Sequence, residues 1–264
     1  MDKTPPTSPR ELLFLNFFKN SASRVYWSVG LANFAALSAK NFRRWLGDWL
    51  NNHSIRKGMT HVAVCGNIGS GKTTLTTLLA KHYNWNPLFE QVEDNPYLED
   101  FYKDMKQWSF HLQVFFLNSR FRQISEIQKG EHSVIQDRTI YEDAHIFARN
   151  LYESGLMPER EYRNYRGLYE TVLEFAPAPD LLIYLQADLP KLVRQISMRG
   201  KAYERSMQLD YLTNLNRAYE DWISTYDHGK LLIINVNEMD FLHNREDFSS
   251  IIERIDGELF GLFS

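Results

Sequence analysis

THVAVCGNIGSGKTTLTTLLA, residues Thr60–Ala80, holds three signals in a row. A short apolar run, His61–Cys65, comes first. Gly66-x-x-x-x-Gly71-Lys72-Thr73 follows, and then Leu75, Leu78 and Leu79 at i, i+3 and i+4. Strand, glycine-rich loop and helix in that order are what a phosphate cradle requires. Gly66, Gly69 and Gly71 free the loop to take backbone angles that a Cβ forbids. The loop N–H groups then face a phosphate beside the positive end of the helix dipole. The expected nucleotide site is therefore Gly66, Asn67, Ile68, Gly69, Ser70, Gly71, Lys72, Thr73 and Thr74. Lys72 is placed to reach the β- and γ-phosphates, and the Thr73 hydroxyl to ligate Mg²⁺.

Working outward, apolar runs ending in polar or acidic residues recur at 61–65, 87–89, 133–135, 181–185 and 231–234. Long helical patterns separate them. Strands alternating with helices predict a parallel sheet covered on both faces. Ligands of such sheets sit at the carboxyl ends of the strands, which singles out Gly66, Glu90 and Asp137. An acid directly after a strand is a natural Mg²⁺ contact in a protein with a phosphate loop, and Arg138 beside it can steady a transferred phosphoryl group.

Two helices are expected between residues 95 and 130. The second, from about Trp108, is apolar nearly all round (Phe110, Leu112, Val114, Phe115, Phe116, Leu117), so burial is expected. It nevertheless carries Gln113 and Arg120, seven residues apart on nearly one face. Either they pair with each other or with backbone, or they line a pocket and read a polar ligand. Further on, Arg194, Arg199, Lys201 and Arg205 cluster around Gly200 and Glu204. Charge alone suggests a solvated helix end; phosphoryl-transfer chemistry suggests a basic lid.

The chain has 264 residues, 44% of them apolar, one cysteine and a formal net charge of −3. One cysteine excludes an internal disulfide framework, and Cys65 reads as a small core residue. The charge is uneven: residues 1–58 carry +6 and the remainder −9. This argues against a chain-wide basic face for nucleic acid. It also marks 1–58 as a separate basic, amphipathic extension before a domain over 59–264. Phe42, Trp45, Leu46, Trp49 and Leu50 repeat at helical spacing among Lys40, Arg43 and Arg44. A membrane-surface helix and a helix docked on the protein body both fit. Residues 25–39 are too short and polar for a membrane span, although the extension has features of a signal or transit peptide. Met59 is a candidate native start, which would make 1–58 non-native. The expected location is the cytoplasm.

Gly66–Thr74, Glu90, Tyr102, Trp108-Ser109-Phe110-His111-Leu112-Gln113, Asp137-Arg138-Thr139, Asp143 and the Arg194–Glu204 stretch together resemble the deoxyribonucleoside kinases. The likeness is closest to the bacterial deoxyadenosine/deoxyguanosine kinase type, and it runs from about residue 60 to the C-terminus. The resemblance implies a three-layer α/β/α P-loop kinase fold with a five-stranded parallel sheet, usually a homodimer. It also implies ATP- and Mg²⁺-dependent phosphorylation of a deoxynucleoside 5′-hydroxyl in nucleotide salvage, with purine substrates favoured. Carried over by position, Glu90 resembles the general base and Arg138 its companion. Tyr102 and Glu204 match residues that hold the sugar 3′-hydroxyl. Gln113, Arg120 and Asp143 match the base-reading trio, and Phe147 a stacking aromatic. Arg194 and Arg199 match lid arginines that join Lys72 in catalysis, and Thr73 and Asp137 form the metal site. Three positions depart from the pattern. Asp-Arg-Thr replaces Glu-Arg-Ser, Lys201 replaces an arginine that could grip phosphate bidentately, and Ala144 replaces the arginine of cytidine-type members. A nucleoside monophosphate kinase such as thymidylate kinase, and a membrane-associated nucleotide-binding regulator, are the alternatives.

Overall fold

The structure is a computed structural model. It describes residues 59–261 except 91, 93–94, 131, 202 and 205–206. The extension over 1–58 and Arg205 lie outside the described residues. The compact unit formed by this part of the chain is Gly58–Ser264.

Five strands form one parallel sheet: β1 His61–Cys65, β2 Asn86–Leu88, β3 Val134–Asp137, β4 Leu181–Gln186 and β5 Lys230–Asn235. Their spatial order is β2-β3-β1-β4-β5. All five residues of β1 are buried, as a central strand covered on both faces must be. Val64 is in register with Asp137 on one side and Ile183 on the other, so the phosphate loop and Asp137 leave the sheet at the same level. Expected and observed strands differ by a residue or two at their ends. β2 starts at Asn86 and ends before Phe89, which is 39% exposed; an edge strand is only half covered. β3 runs through Asp137, whose backbone is still in the ladder.

Among the described residues, nine α-helical elements pack around the sheet: α1 Lys72–Tyr83, α2 Leu98–Lys103, α3 Met105–Lys129, α4 Ile140–Glu142, α5 Arg149–Glu153, α6 Glu159–Leu173, α7 Leu189–Arg199, α8 Leu209–Ser224 and α9 Arg245–Phe260. Between α4 and α5 the helix widens into a π-helical segment, Asp143–Ala148. The alternation of strand side chains creates two cores. Val62, Val64, Ile183 and Leu185 face Leu75 and Leu79 of α1, Leu192 of α7, and Ile251 and Ile255 of α9. Ala63, Cys65, Leu182 and Tyr184 face α3, α6 and α8. Leu75 and Leu79 are fully buried, each contributing about 2 kcal/mol.

The α3 helix corrects one expectation. It starts at Met105, with the Asp104 side chain accepting from the Gln107 N–H as its cap, and it is not buried all round. Leu112 and Leu117 are buried, Phe110, Val114, Phe115 and Phe116 are half-buried, and Phe121 is 45% exposed. One face packs on the second core, while the opposite face points out of the described body.

Candidate active site

The N-terminus of α1 carries no side-chain cap and no acid in its first turn. Its leading N–H groups are therefore left for an anion. The loop that delivers the chain to them needs its glycines: Gly66, Gly69 and Gly71 have φ of 146°, 86° and 97°. At Gly69 a Cβ would lie 2.9 Å from the Leu192 carbonyl oxygen of α7, so the loop packs directly against that helix. Asn67 pins the loop from below, its amide donating to Leu212 O at 3.2 Å and Asn216 Oδ1 at 3.1 Å. Lys72 Nζ donates to Asn67 O at 3.0 Å. Burial and the nearby Arg138 push the Lys72 ammonium down to about 8.

Thr73 Oγ1 donates to Asp137 Oδ2 at 2.6 Å, while Asp137 Oδ1 is buried without a hydrogen-bond partner. A hydroxyl and a carboxylate converging beside a phosphate cradle are the oxygen donors that Mg²⁺ takes, with phosphates and water completing its shell. The residues present fit that ion.

A cavity of about 510 Å³ opens from this loop. Lys72, Thr73 and Asp137 line it together with Glu90, Arg138, Tyr102, Gln113, Asp143, Phe147 and Glu204. Glu90 Oε1 accepts from Arg120 Nη2 at 3.1 Å and forms an ion pair with Arg138, whose Nε lies 3.3 Å away. Burial pushes the Glu90 carboxyl up, but the charges of Arg138, Arg120 and Lys72 outweigh it and hold it below the usual range. Glu90 is thus ionised at neutral pH. Arg138 adopts a left-handed backbone, φ 70°, rare for a side-chain-bearing residue. Its guanidinium lies 4.2 Å over the Phe147 ring.

Arg120 answers the question that its sequence left open. It is 1% exposed and does not line the cavity. It donates to Asp143 Oδ2 at 3.2 Å, Gln123 Oε1 at 2.8 Å, Asp137 O at 3.2 Å and Glu90. It is the fixed post behind the wall, orienting the acids in front of it. Gln113 is not its partner: Gln113 Oε1 is buried without a hydrogen-bond partner and its residue faces the cavity. The π-helical segment explains the pairing of Asp143 and Phe147. The widened turn brings both to the cavity while Ala144, Ile146 and Ala148 stay buried, a common use of such turns. Burial drives the Asp143 carboxyl up to about 7, against the pull of Arg120.

The lid is seen in part. Arg199 donates to both oxygens of Glu204, through Nε at 3.1 Å and through Nη2. Lys201 Nζ lies 5.6 Å over the Tyr203 ring, and Tyr203 stacks on Tyr102 at 5.5 Å. Arg194 is not brought in. It is exposed on α7 and does not line the cavity. It stands five positions before Arg199, which turns the two about 140° apart on a helix.

Two residues escaped the sequence reading. Tyr203 had no signal beyond its neighbourhood. Glu142 did have one, because Thr139-x-x-Glu142 is a capping box, and both of its bonds are present.

The family model described as deoxynucleoside kinase matches residues 62–260. The chain is 36% identical over 208 residues to a deoxyadenosine/deoxycytidine kinase of Bacillus subtilis, covering 78% of this chain and 95% of that protein. It is 42% identical over 183 residues to a deoxyadenosine kinase of Dictyostelium discoideum, covering 69% and 74%. Among solved structures, a deoxyadenosine kinase from M. mycoides with bound dATP superposes with a TM-score of 0.67 at 28% identity. That match covers 75% of this chain and 99% of that one.

Proposed function

The chain belongs to the deoxynucleoside kinase family and is a deoxynucleoside kinase; from that premise we propose that it transfers the ATP γ-phosphoryl group to the 5′-hydroxyl of purine deoxynucleosides. One observation carries the reading. A single cavity is lined by the phosphate cradle, by the Glu90–Arg138 pair and by the polar side chains of Gln113 and Asp143. Phosphoryl transfer demands positioning and charge stabilisation more than covalent help. Glu90, ionised, accepts the 5′-hydroxyl proton. Arg138 and Lys72 offset the charge spreading over the transferred group, joined by Arg199 when it turns from Glu204. Thr73 and Asp137 would hold Mg²⁺, which would supply neutralisation of the nucleotide's phosphate charge. Tyr102 and Glu204 hold the sugar, Phe147 stacks on the base, and Gln113 and Asp143 read its edge with Arg120 holding Asp143. Arg194 joins this set only if α7 rotates on closure.

Membership of the deoxynucleoside kinase family over residues 62–260 favours this reading of the domain over thymidylate kinase or a membrane-associated nucleotide-binding regulator. No helix among the described residues is long and apolar enough to cross a membrane. The relatives named for deoxyadenosine or deoxyguanosine support the purine assignment, and they stand beside one named for deoxyadenosine and deoxycytidine and a probable deoxycytidine kinase. Exposed Phe121 on α3 and Leu168 on α6, 45% and 43%, support a homodimer. We further infer a cytoplasmic enzyme whose catalytic domain is 59–264.

The test is ATP consumption by the full chain with deoxyadenosine, deoxyguanosine, deoxycytidine, thymidine or thymidine monophosphate as acceptor. Fastest turnover with deoxyadenosine or deoxyguanosine is expected. Preference for deoxycytidine or thymidine overturns the purine assignment, and activity on the monophosphate alone overturns the acceptor assignment.

A further inference from the structure

Glu142 is a carboxylate with no exposed surface, set beneath the phosphate loop. A Glu at the third position of a helix ordinarily reaches back to one N–H at a solvated helix start. This one does more. Oε2 accepts from the Thr139 N–H at 2.7 Å and from the Thr139 hydroxyl at 3.2 Å. Oε1 accepts from the Tyr219 hydroxyl of α8 at 2.8 Å and faces the Gly66 N–H, the first amide of the loop, at a long 3.5 Å. Burial raises its pKa, opposed by Arg138, the Thr139 N–H, Lys72 and the Tyr219 hydroxyl. Burying a carboxylate is costly unless several donors meet it, and a helix cap alone does not need that.

Both ends of Arg138 lead back to this one group. The Thr139 N–H belongs to the peptide that sets ψ of Arg138, the residue held at φ 70°. The Tyr219 ring, held through its hydroxyl by Glu142, meets Phe147 edge-on at 6.5 Å. Phe147 in turn lies under the Arg138 guanidinium at 4.2 Å. We propose that Glu142 is a positioning residue for phosphoryl transfer. It fixes the backbone of Arg138 through Thr139 and the face of its guanidinium through Tyr219 and Phe147. This holds the arginine in register with the start of the phosphate loop. The inference rests on the reading of Arg138 as the group that steadies the transferred phosphoryl.

Glu142→Gln keeps the shape but removes the charge and one acceptor oxygen: with its oxygen on the Thr139 N–H, its amide N–H₂ faces a Tyr219 hydroxyl that must turn from donor to acceptor and a Gly66 N–H that can only donate. Tyr219→Phe removes only the second route. In the full-length protein, kcat should fall about tenfold in Glu142→Gln and about threefold in Tyr219→Phe. KM for ATP and deoxynucleoside should stay within about twofold, the split expected when an interaction is made only in the transition state. A double-mutant cycle separates positioning from general damage, since groups that act through one another are non-additive. In an Arg138→Ala background, Glu142→Gln should cost less than about twofold in kcat. An equal cost in both backgrounds, or unchanged kcat in Glu142→Gln, overturns the proposal. Unchanged kcat in Arg138→Ala alone overturns the role of Arg138 in the proposed function, and this inference with it.

Discussion

At the donor end of the cavity the working groups are mostly backbone. One strand, one loop and one helix, contiguous in the chain, supply the N–H cradle, with Lys72 and Thr73 attached to it. At the acceptor end they are side chains gathered from separate elements. Glu90 comes from the loop after β2, Gln113 and Arg120 from α3, Arg138 from the end of β3, Asp143 and Phe147 from the π-helical segment, and Glu204 from the lid. On the proposed function, the local backbone motif binds what all nucleoside triphosphates share. The side-chain constellation, spread over 115 positions of sequence from Glu90 to Glu204, can vary piece by piece and would then hold the selectivity. Changes at the donor end should therefore affect every acceptor alike, whereas changes at the acceptor end should discriminate among them.

The largest expected effect falls where the two ends meet. Glu90→Gln should lower kcat at least about a hundredfold, the scale of general-base loss, while calorimetry finds deoxynucleoside binding mostly intact. Near-normal turnover would remove Glu90 as the group that takes the 5′-hydroxyl proton and leave Arg138 as the acceptor-end residue that serves the chemistry. Gly69→Ala tests the donor side. A left-handed φ of 86° and a Cβ 2.9 Å from Leu192 O should cost about 1–2 kcal/mol or more in urea denaturation. KM for ATP should rise by the same factor with every acceptor.

Asp143 sharpens the other side through pH. Its folded pKa of about 7, raised by burial, means the native state holds a proton that the unfolded chain releases near pH 4. Its contribution to stability is fully present below the unfolded pKa and is lost as pH rises through 7. Between pH 6 and 8 the loss should be about 1 kcal/mol, seen as the change in denaturation free energy of the wild type relative to Asp143→Asn. The smallest effect belongs to Arg194. Arg194→Ala should leave kcat within about twofold, while Arg199→Ala lowers it about tenfold, the lid arginine that already reaches Glu204 carrying the charge.

The same contrast explains what could be read in the chain. All five strands were legible because buried parallel strands are short apolar runs, and the loop was legible because its chemistry is contiguous. Composition and spacing singled out Gln113 and Arg120 as misplaced polar groups on an apolar helix. They did not show that Arg120 stands behind the wall and Gln113 in front, because that depends on which elements arrive from elsewhere. The roles of Tyr102, Phe147 and Glu204 came from resemblance alone. The π-helical turn leaves no periodic signature, since one extra residue per turn over six residues is invisible to a 3.6-residue pattern. The exposed face of α3 was misread as buried because an apolar run favours burial without showing which of its positions meet the body of the protein. Glu142 was legible as a cap, and its reach to Tyr219 was not.

The most direct measurement is the pair of specificity constants for deoxyadenosine and thymidine in the wild type and in Gln113→Leu, with KM for ATP determined alongside. Gln113 presents a buried, unpartnered Oε1 to the cavity, and a site built to hydrogen-bond a ligand loses heavily when that bond is removed. The account predicts that kcat/KM for the preferred deoxynucleoside falls at least about tenfold, that the ratio between the two acceptors shifts, and that KM for ATP moves less than about twofold. An unchanged ratio, or a matching change in KM for ATP, would contradict the separation of a general donor end from a selective acceptor end.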